Sequence, residues 1–284
     1  MSTGKLKRFF DLFALGKRSV TVCGPDRAFL LTVRYLSWKL RFQKRVSVLS
    51  PRINFVITAL VLGWVRMTIR LFRLFVPDKY TDADPYKCIW VDPLDIKYTT
   101  GETGSKRRGW VVDGNWDQNG DRYMDRTSAR AIEQRFIDGM SWKETILVEK
   151  YDEHEFKQRT QTIERLHRTI QQEGYKSQRQ LLEENPKAAW NGLNDAMNPL
   201  VNEVFVDIGR DGELLWNMCG QHRLAIAKIL EIDQIPVQVF RRHEQWQAIR
   251  NRVRNDKHVP EQFLGHPDLE DLLRQNNTCK AHRS

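Results

Sequence analysis

The chain has 284 residues, of which 40% are hydrophobic and 29% charged, and this length allows one large domain with appendages or two small domains. Its net charge of +10 arises at the start, because residues 1–80 contain 16 of the 46 Lys and Arg but 3 of the 36 Asp and Glu. The other 204 residues contain 30 basic and 33 acidic side chains. The main body therefore lacks the basic excess on which binding to nucleic-acid phosphates depends.

The cysteines and the start of the chain indicate the cellular compartment. Four cysteines are neither paired at the spacing of a metal site nor dense enough for a disulfide scaffold: Cys23, Cys88, Cys219 and Cys279. The first twenty residues have charges on both sides of a very short apolar stretch, which is not the pattern of a secretory signal. Both features predict a protein of the reducing cytoplasm.

Residues 1–80 combine the basic excess with apolar helical patterns. In the segment 53–76, thirteen uncharged residues come first, and three arginines then recur on one helical face: Arg66, Arg70 and Arg73. A spanning helix needs about 20 apolar residues, whereas a helix lying in the membrane interface uses this interrupted pattern. We predict that residues 1–80 bind an anionic membrane surface, which makes the protein peripheral on the inner face of the membrane. A true span, or a soluble helical hairpin docked on the body or a partner, is the alternative.

The folded body is expected to start at residue 86, after a segment with the composition of a linker. Residues 77–85 contain two prolines and three aspartates, which favours an extended connection. A strand and turn are predicted over 87–96. An insertion at about 98–150 follows, and it is rich in Gly, Asn and Asp and contains a helix at about 128–138.

The acidic cluster in this insertion does not match a calcium loop. Asp and Asn alternate from Asp113 to Asp121, but the positions that require Gly and Glu hold Gln118 and Met124. Turns between strands explain the segment more simply.

The rest of the body alternates helices and strands. Apolar spacing, with Gly174 as the stop, predicts a helix over 152–175, and a second insertion follows at about 179–202. The further predicted elements are a β-hairpin over 203–217, a helix over 221–230, a strand over 235–240, a basic helix over 244–254, and a C-terminal helix and tail over 256–284.

The turn after the hairpin has the residue types of an anion site. Gly220 allows a tight turn and close approach of a ligand to the backbone, and the N–H groups at the helix start, with the helix dipole, favour a negative charge. His222 and Arg223 add side-chain donors, and the planar guanidinium suits phosphate oxygens. The alternative is that Arg223 pairs with a hairpin carboxylate, Asp207 or Asp211, and that His222 is a structural residue.

Two stretches of the body resemble conserved boxes of the ParB N-terminal domain. The first, "LHRTIQQEGYKSQ" at 166–178, is a helix with Leu and Ile four residues apart that ends in Gly before an extended segment. The second, at 204–240, contains Asp-Gly, a returning strand, Gly-x-x-Arg, an Ala-rich helix and Ile-Pro-Val. The chain is thus similar, over residues 88–245, to the ParB/sulfiredoxin-like superfamily and within it to the ParB-like nuclease-domain family.

The resemblance implies both a fold and a ligand. The fold would be α+β, a small mixed sheet with packed helices, filling 86–255 apart from the two insertions. In the relatives this corner binds the phosphates of ATP or CTP, which implies a nucleotide with Mg here. The implied phosphate-binding residues are Gly220, Gln221, His222, Arg223 and Arg242.

Two departures from the relatives narrow the implied chemistry. Gln221 occupies the position of the reactive cysteine of sulfiredoxin, and Cys219 is displaced by two positions, so we do not expect sulfiredoxin chemistry. The partition proteins continue into a helix-turn-helix domain, for which the 41 residues after His243 are too few. DNA is therefore the least favoured partner.

Three functions remain open at this point. A phosphotransferase would need a carboxylate-held metal and a general base. Its candidate catalytic residues are Asp207, Asp211 and His243, with Asp113, Asp117 and Glu144 as further carboxylates and no assigned metal ligand. The alternatives are a nucleotide-gated binding module without turnover and a DNA-binding, partition or nuclease-type protein. His243 and the two arginines before it are interpreted either as ligand contacts or as a solvated basic run.

Overall fold

The computed structural model describes residues 51–102, 108–184, 202–256 and 258–273. Predictions for residues 1–50, for most of the second insertion and for the end of the tail lie outside this part of the chain. The α-helices are α1 Pro51–Phe75, α2 Thr127–Phe136, α3 Glu153–Glu173, α4 Gln178–Glu184, α5 Gln221–Ile229 and α6 Glu244–Asp256. The strands are β1 Cys88–Val91, β2 Tyr98–Thr99, β3 Trp110–Val112, β4 Val204–Ile208, β5 Leu214–Trp216 and β6 Ile235–His243.

These strands form one mixed sheet in the order β1-β6-β4-β5-β2. The long strand β6 pairs in parallel with β4 and antiparallel with β1, and it pairs in parallel with β3 beyond the end of β1. The predicted hairpin is confirmed as the antiparallel pair of β4 and β5, and β2 joins β5 in parallel. The structure therefore confirms the α+β class with a mixed sheet.

The central strands are buried along their whole length. Every residue of β4 and β6 is buried, which fits the mainly apolar sequence of β4 and of the first part of β6. Asp207 and the end of β6, from Arg241 to His243, are buried polar residues.

Helices cover one face of the sheet, and Ile132 of α2, Leu224 of α5 and Trp246 of α6 join the strands in a single apolar core. On the other face Phe205 and Phe240 stack in a smaller cluster.

The first insertion contributes to the sheet rather than standing outside it. Its strand β3 pairs with the end of β6, so that Trp110 lies opposite Arg241 and Val112 opposite His243. The predicted helix of this insertion is confirmed as α2. The turn-rich composition concealed β3 because a three-residue strand has too few positions to show an alternating pattern.

The prediction of a linker over 77–85 is wrong. The Asp82 carboxylate is fully buried and accepts hydrogen bonds from Arg250 at 3.1 and 3.0 Å, and the hydroxyl of Thr81 accepts one from Arg242 at 3.1 Å. Proline and aspartate occur in linkers, but here Asp82 pairs with the buried Arg250, and Asp84 pairs with the half-exposed Arg66. The segment is therefore an integral part of the body.

The residues after α6 also pack into the body. Leu269 and Leu272 belong to the main apolar core, and the buried Asp268 carboxylate accepts hydrogen bonds from Arg242 and Trp246. Residues 259–273 thus help to close the helical side of the sheet.

The predicted helix at 53–76 is confirmed as α1. Its second half lies against the body, where Val65 and Ile69 are buried beside Tyr80, and Arg66 forms an ion pair with Asp84 at 2.8 Å. Within the described residues, no helix has both the length and the apolar character needed to cross a membrane.

Candidate functional site

The turn between β5 and α5 is tight and left-handed. Gly220 has a φ of 75° and Met218 a φ of 38°, a region that residues other than glycine rarely adopt. A Cβ at Gly220 would lie 2.7 Å from Cγ2 and 2.8 Å from Cα of Val204. Glycine is thus required for packing of the turn against β4, independently of any ligand.

The start of α5 is open. Leu224 donates its N–H to the carbonyl of Gly220 at 2.9 Å, and no side chain caps the helix. The N–H groups of the first turn, at Gln221, His222 and Arg223, are left for a solvent molecule or an anion. The sequence predicted that an anion binds here, and this stays a prediction.

The side chain of Arg223 is held by contacts within the protein. Its guanidinium donates to the Glu203 carboxylate at 3.1 Å and to the carbonyl of Lys176 at 2.6 Å, and it lies over the Tyr175 ring, 4.4 Å from the centroid. Burial raises the pKa of Glu203, and the charge of Arg223 opposes that rise. The expected alternative of a paired Arg223 is thus observed, but with Glu203 instead of Asp207 or Asp211.

His222 is a neutral group at this turn. Burial lowers its pKa to about 4, and the nearby charges of Arg159 and Lys150 act in the same direction. A neutral imidazole offers one N–H donor and one acceptor. His222 can therefore donate a hydrogen bond to an anion. The positive charge near it comes from Arg159 and Lys150.

Arg126, which the sequence did not single out, borders the same turn. Its guanidinium lies over the Trp216 ring, 4.6 Å from the centroid, and its Nε is buried without a hydrogen-bond partner. Trp216 donates its ring N–H to the carbonyl of Cys219 at 2.8 Å. The Tyr123 hydroxyl, three residues before Arg126, donates to the carbonyl of Gln221 at 2.5 Å.

A second unsatisfied atom lies two residues after Arg126 in the chain. The hydroxyl of Ser128, in the first turn of α2, is buried without a partner, and α2 packs against α5. Buried donors in folded proteins are nearly always satisfied. Arg126, with its charged guanidinium, thus offers a donor to a bound anion such as a phosphate. No sequence signal linked Arg126 and Ser128 to the turn, because they lie in the first insertion.

The other predicted residues are not brought to this turn. Arg242 donates to the buried Asp268 carboxylate, and the charges of Arg242 and Arg250 hold the pKa of Asp268 below its ordinary value although burial acts in the opposite direction. Arg242 therefore stabilises the packing of the C-terminal residues against the sheet.

Asp207 lies inside a buried polar cluster. Its carboxylate accepts hydrogen bonds from Arg241 at 2.8 Å and from Asn217 at 3.1 Å, and all three residues are fully buried. Burial raises the pKa of Asp207, and the Arg241 charge opposes the rise. Trp116 covers the cluster, with the Arg241 guanidinium 3.9 Å from its ring centroid.

His243 is fixed by two backbone contacts. Its Nε2–H donates to the carbonyl of Gly114 at 2.9 Å, and its Nδ1 accepts the N–H of Gln245 at 3.2 Å. The imidazole is buried, so both of its polar atoms are used for structure. The interpretation of residues 241–243 as a solvated basic run is wrong, because each side chain is buried with a partner.

The remaining carboxylates are dispersed. Asp211 is exposed at the tip of the hairpin, Asp117 is paired with Arg210 at 2.8 Å, and Glu144 accepts the N–H of Ser141. Among the described residues no group of three or more His, Cys, Asp or Glu side chains is placed to hold a metal ion. These residues do not fit a magnesium site built by the protein alone.

Comparisons with protein-family models, with curated proteins and with solved structures find no match for this chain. The chemistry of the site is therefore inferred from the positions of its own residues. It combines an uncapped helix start, a neutral imidazole, and an arginine whose buried Nε lacks an acceptor. These groups can bind an anion.

Proposed function

We propose that the protein is a nucleotide-binding module whose phosphate site is the start of α5. The observation that carries this proposal is Arg126, whose Nε is buried and unsatisfied and whose guanidinium lies on Trp216, the residue that donates its ring N–H to the Gly220 turn at Cys219. A phosphate at this position would accept the N–H groups of the first helical turn and the guanidinium donors together. Charge-assisted hydrogen bonds of this kind are the strong ones in proteins.

The roles of the predicted residues change accordingly. Gln221 and His222 would contact the phosphate through their backbone N–H groups, and His222 adds a neutral side-chain donor. Arg223 holds the turn in place through Glu203 and does not contact the ligand. Gly220 brings the helix start close to β4.

The order of elements supports a ParB/sulfiredoxin-like fold. A helix that ends at Gly174 precedes the β4–β5 hairpin, and the Gly220 turn and α5 lead to β6 beside β4. This is the order in which the two conserved boxes occur in that superfamily. We infer from it that ATP or CTP is the class of ligand to test first.

Binding without turnover is favoured over phosphotransfer. Asp207 and His243 are buried, and each is engaged by structural hydrogen bonds, so neither can reach a substrate as a general base. Asp211 is exposed, but nothing places it beside the start of α5. A nucleotide-gated switch, as in ParB, requires neither residue.

The test is a thermal-shift series with ATP, ADP, CTP and GTP in the presence of magnesium. Since a ligand stabilises the native state by mass action, we expect one nucleotide to raise the Tm of the wild-type protein by several degrees. Arg126→Gln should abolish that rise. The matched control is Arg130→Gln, an exposed residue one turn further along α2, which should retain it.

Nucleotide turnover is measured on the same samples. We expect slow or undetectable release of phosphate. No rise in Tm with any nucleotide, or an equal rise in Arg126→Gln, would show that the start of α5 is not the site. Tight binding of duplex DNA at physiological salt would instead favour the DNA-binding alternative.

A further inference from the structure

One face of α1 exposes a continuous row of large apolar side chains, which we call the α1 stripe. Its members from Leu60 to Leu74 are spaced by three and four residues, and Phe75 follows Leu74 directly, so they share one side of the helix. Exposure is highest at its end, with 80% for Leu74 and 75% for Phe75. The members are Leu60, Trp64, Met67, Leu71, Leu74 and Phe75.

The opposite side of α1 is held on the body. Val65 and Ile69 are buried there, and Phe72 stacks on Tyr80 with 5.6 Å between ring centroids. A helix held along one side lies flat on the molecule. The α1 stripe therefore points outward along the whole length of the attached half.

Positive charge flanks the α1 stripe. Arg70 is exposed, and neither it nor Arg73 has an acidic partner among the residues that the structure describes. Burial lowers the pKa of Arg73, and the charge of Arg250 acts in the same direction. Arg254 of α6 also lies near Arg73. Arg250 and Arg254 are paired with aspartates. The charges that flank the α1 stripe without an acidic partner in the described part of the chain are therefore those of Arg70 and Arg73.

We propose that the α1 stripe docks the protein, in the plane of the surface, on a membrane that contains anionic lipids. Apolar side chains would enter the boundary between head groups and acyl chains, and the flanking arginines would contact the head groups. Trp64 has the amphipathic ring that favours this depth. The docking does not depend on nucleotide binding.

Charge complementarity favours an anionic membrane over a second copy of the chain as the binding partner of the α1 stripe. Residues 1–80 contain 16 basic and 3 acidic side chains, so two such regions brought face to face would repel each other. An anionic lipid surface is attracted by the same charge, at about 1 kcal/mol per basic residue near the surface. The segment 1–50 is basic as well, with 11 basic and 2 acidic side chains. Charge repulsion therefore also disfavours binding of this segment to the α1 stripe.

The test is co-sedimentation of the full chain with vesicles. One set is phosphatidylcholine alone, and the other contains equal parts of phosphatidylcholine and phosphatidylserine. We expect binding to the anionic set that decreases with added salt. Leu71→Glu and Leu74→Glu should each lower the partition coefficient by roughly tenfold or more, because burial of one leucine contributes about that factor. The matched control is Leu264→Glu, which lies outside α1 and is 67% exposed, and it should bind as the wild type does.

A second measurement locates the contact. Lipids with brominated acyl chains should quench part of the tryptophan fluorescence, and Trp64→Phe should remove most of the quenched part. Equal vesicle binding by Leu71→Glu and the wild type would overturn the proposal.

Two further outcomes would show that the α1 stripe binds something other than a membrane. Dimers of the wild-type protein that Leu71→Glu dissociates, without vesicle binding, would show that a second copy covers the α1 stripe. A large decrease in Tm for Leu71→Glu would show that another part of the chain covers it. Either result would overturn the proposal.

Discussion

At Gly220 the chain passes so close to β4 that only a glycine fits. We predict that Gly220→Ala lowers the free energy of unfolding by about 1–3 kcal/mol or more, because the new Cβ meets Val204 and the left-handed backbone disfavours alanine. Urea unfolding measures the change. Gly139→Ala is the matched control, since Gly139 has a φ of 74° with nothing within 4 Å of the added Cβ. An equal loss in both variants would show that backbone conformation alone requires the glycine.

The ion pair of Arg223 with Glu203 should make a large contribution to stability. Arg223→Ala leaves the buried Glu203 carboxylate without its partner, and we expect a loss of about 3–5 kcal/mol in the free energy of unfolding. The control is Arg159→Ala, which breaks the half-exposed pair with Glu155 on α3 and should cost less than about 1 kcal/mol. A similar small loss for Arg223→Ala would contradict a structural role for this residue.

The same residue shows why binding should be tested at Arg126. A change at Arg223 alters the fold of the turn as well as its charge, so a lost ligand response has two explanations. Arg126 forms no ion pair among the described residues, and its replacement changes the site with a smaller effect on the fold. The ligand-induced rise in Tm, taken relative to each unliganded variant, separates the two effects.

At the scale of elements, the buried Asp82 ties the segment before β1 to α6. Its carboxylate accepts hydrogen bonds from Arg250 and Gln247. We predict that Asp82→Asn lowers the free energy of unfolding by about 1.5–3 kcal/mol, because the charge-assisted hydrogen bonds from Arg250 and Arg254 weaken, while Arg250 keeps its pairs with Asp268 and Asp271. Asp84→Asn, at the half-exposed pair with Arg66, serves as the control and should change the stability by less than about 1 kcal/mol.

An unchanged urea midpoint in Asp82→Asn would show that residues 77–85 are held by other contacts. The sequence could not have revealed this attachment. Composition distinguishes a polar segment from an apolar one, but it does not distinguish an acidic side chain in water from one paired with an arginine that is distant along the chain.

For the whole molecule, buried histidines should make the fold sensitive to acid. Burial lowers the pKa of His222 from 6.5 to about 4 and also lowers the pKa of His266. The unfolded chain binds protons first as the pH falls, so the stability that is present above about pH 6.5 is lost progressively towards pH 4. His222 alone accounts for up to about 3 kcal/mol of this loss.

Urea unfolding at several pH values between 7 and 4 checks the profile. His222→Gln should reduce the decrease in stability between pH 6.5 and pH 4, because glutamine does not titrate. His154→Gln, an exposed residue of α3, is the matched control. A pH profile unchanged by His222→Gln would show that other groups cause the acid sensitivity.

Local pattern in the sequence determined most of the elements. The helix that ends at Gly174, the hairpin around Arg-Asp-Gly-Glu, the helix after Gly220 and the amphipathic helix over 53–76 were predictable. Their apolar spacing and stop residues act over a few positions. The mixed α+β class was implied by the family resemblance that their order carries. Short strands such as β3 lack enough residues for a period, and only the pairing with β6 reveals them.

The tertiary structure decided which residues meet. Arg223 of α5 pairs with Glu203 just before β4, His243 is fixed by Gly114, and Arg126 reaches Trp216 of β5 from the first insertion. Each contact joins positions far apart along the chain, and it depends on how β4 and β6 align and which helices cover them. A motif such as Gly-Gln-His-Arg therefore indicates an anion site at a helix start, but the side chain that completes the site is set by packing.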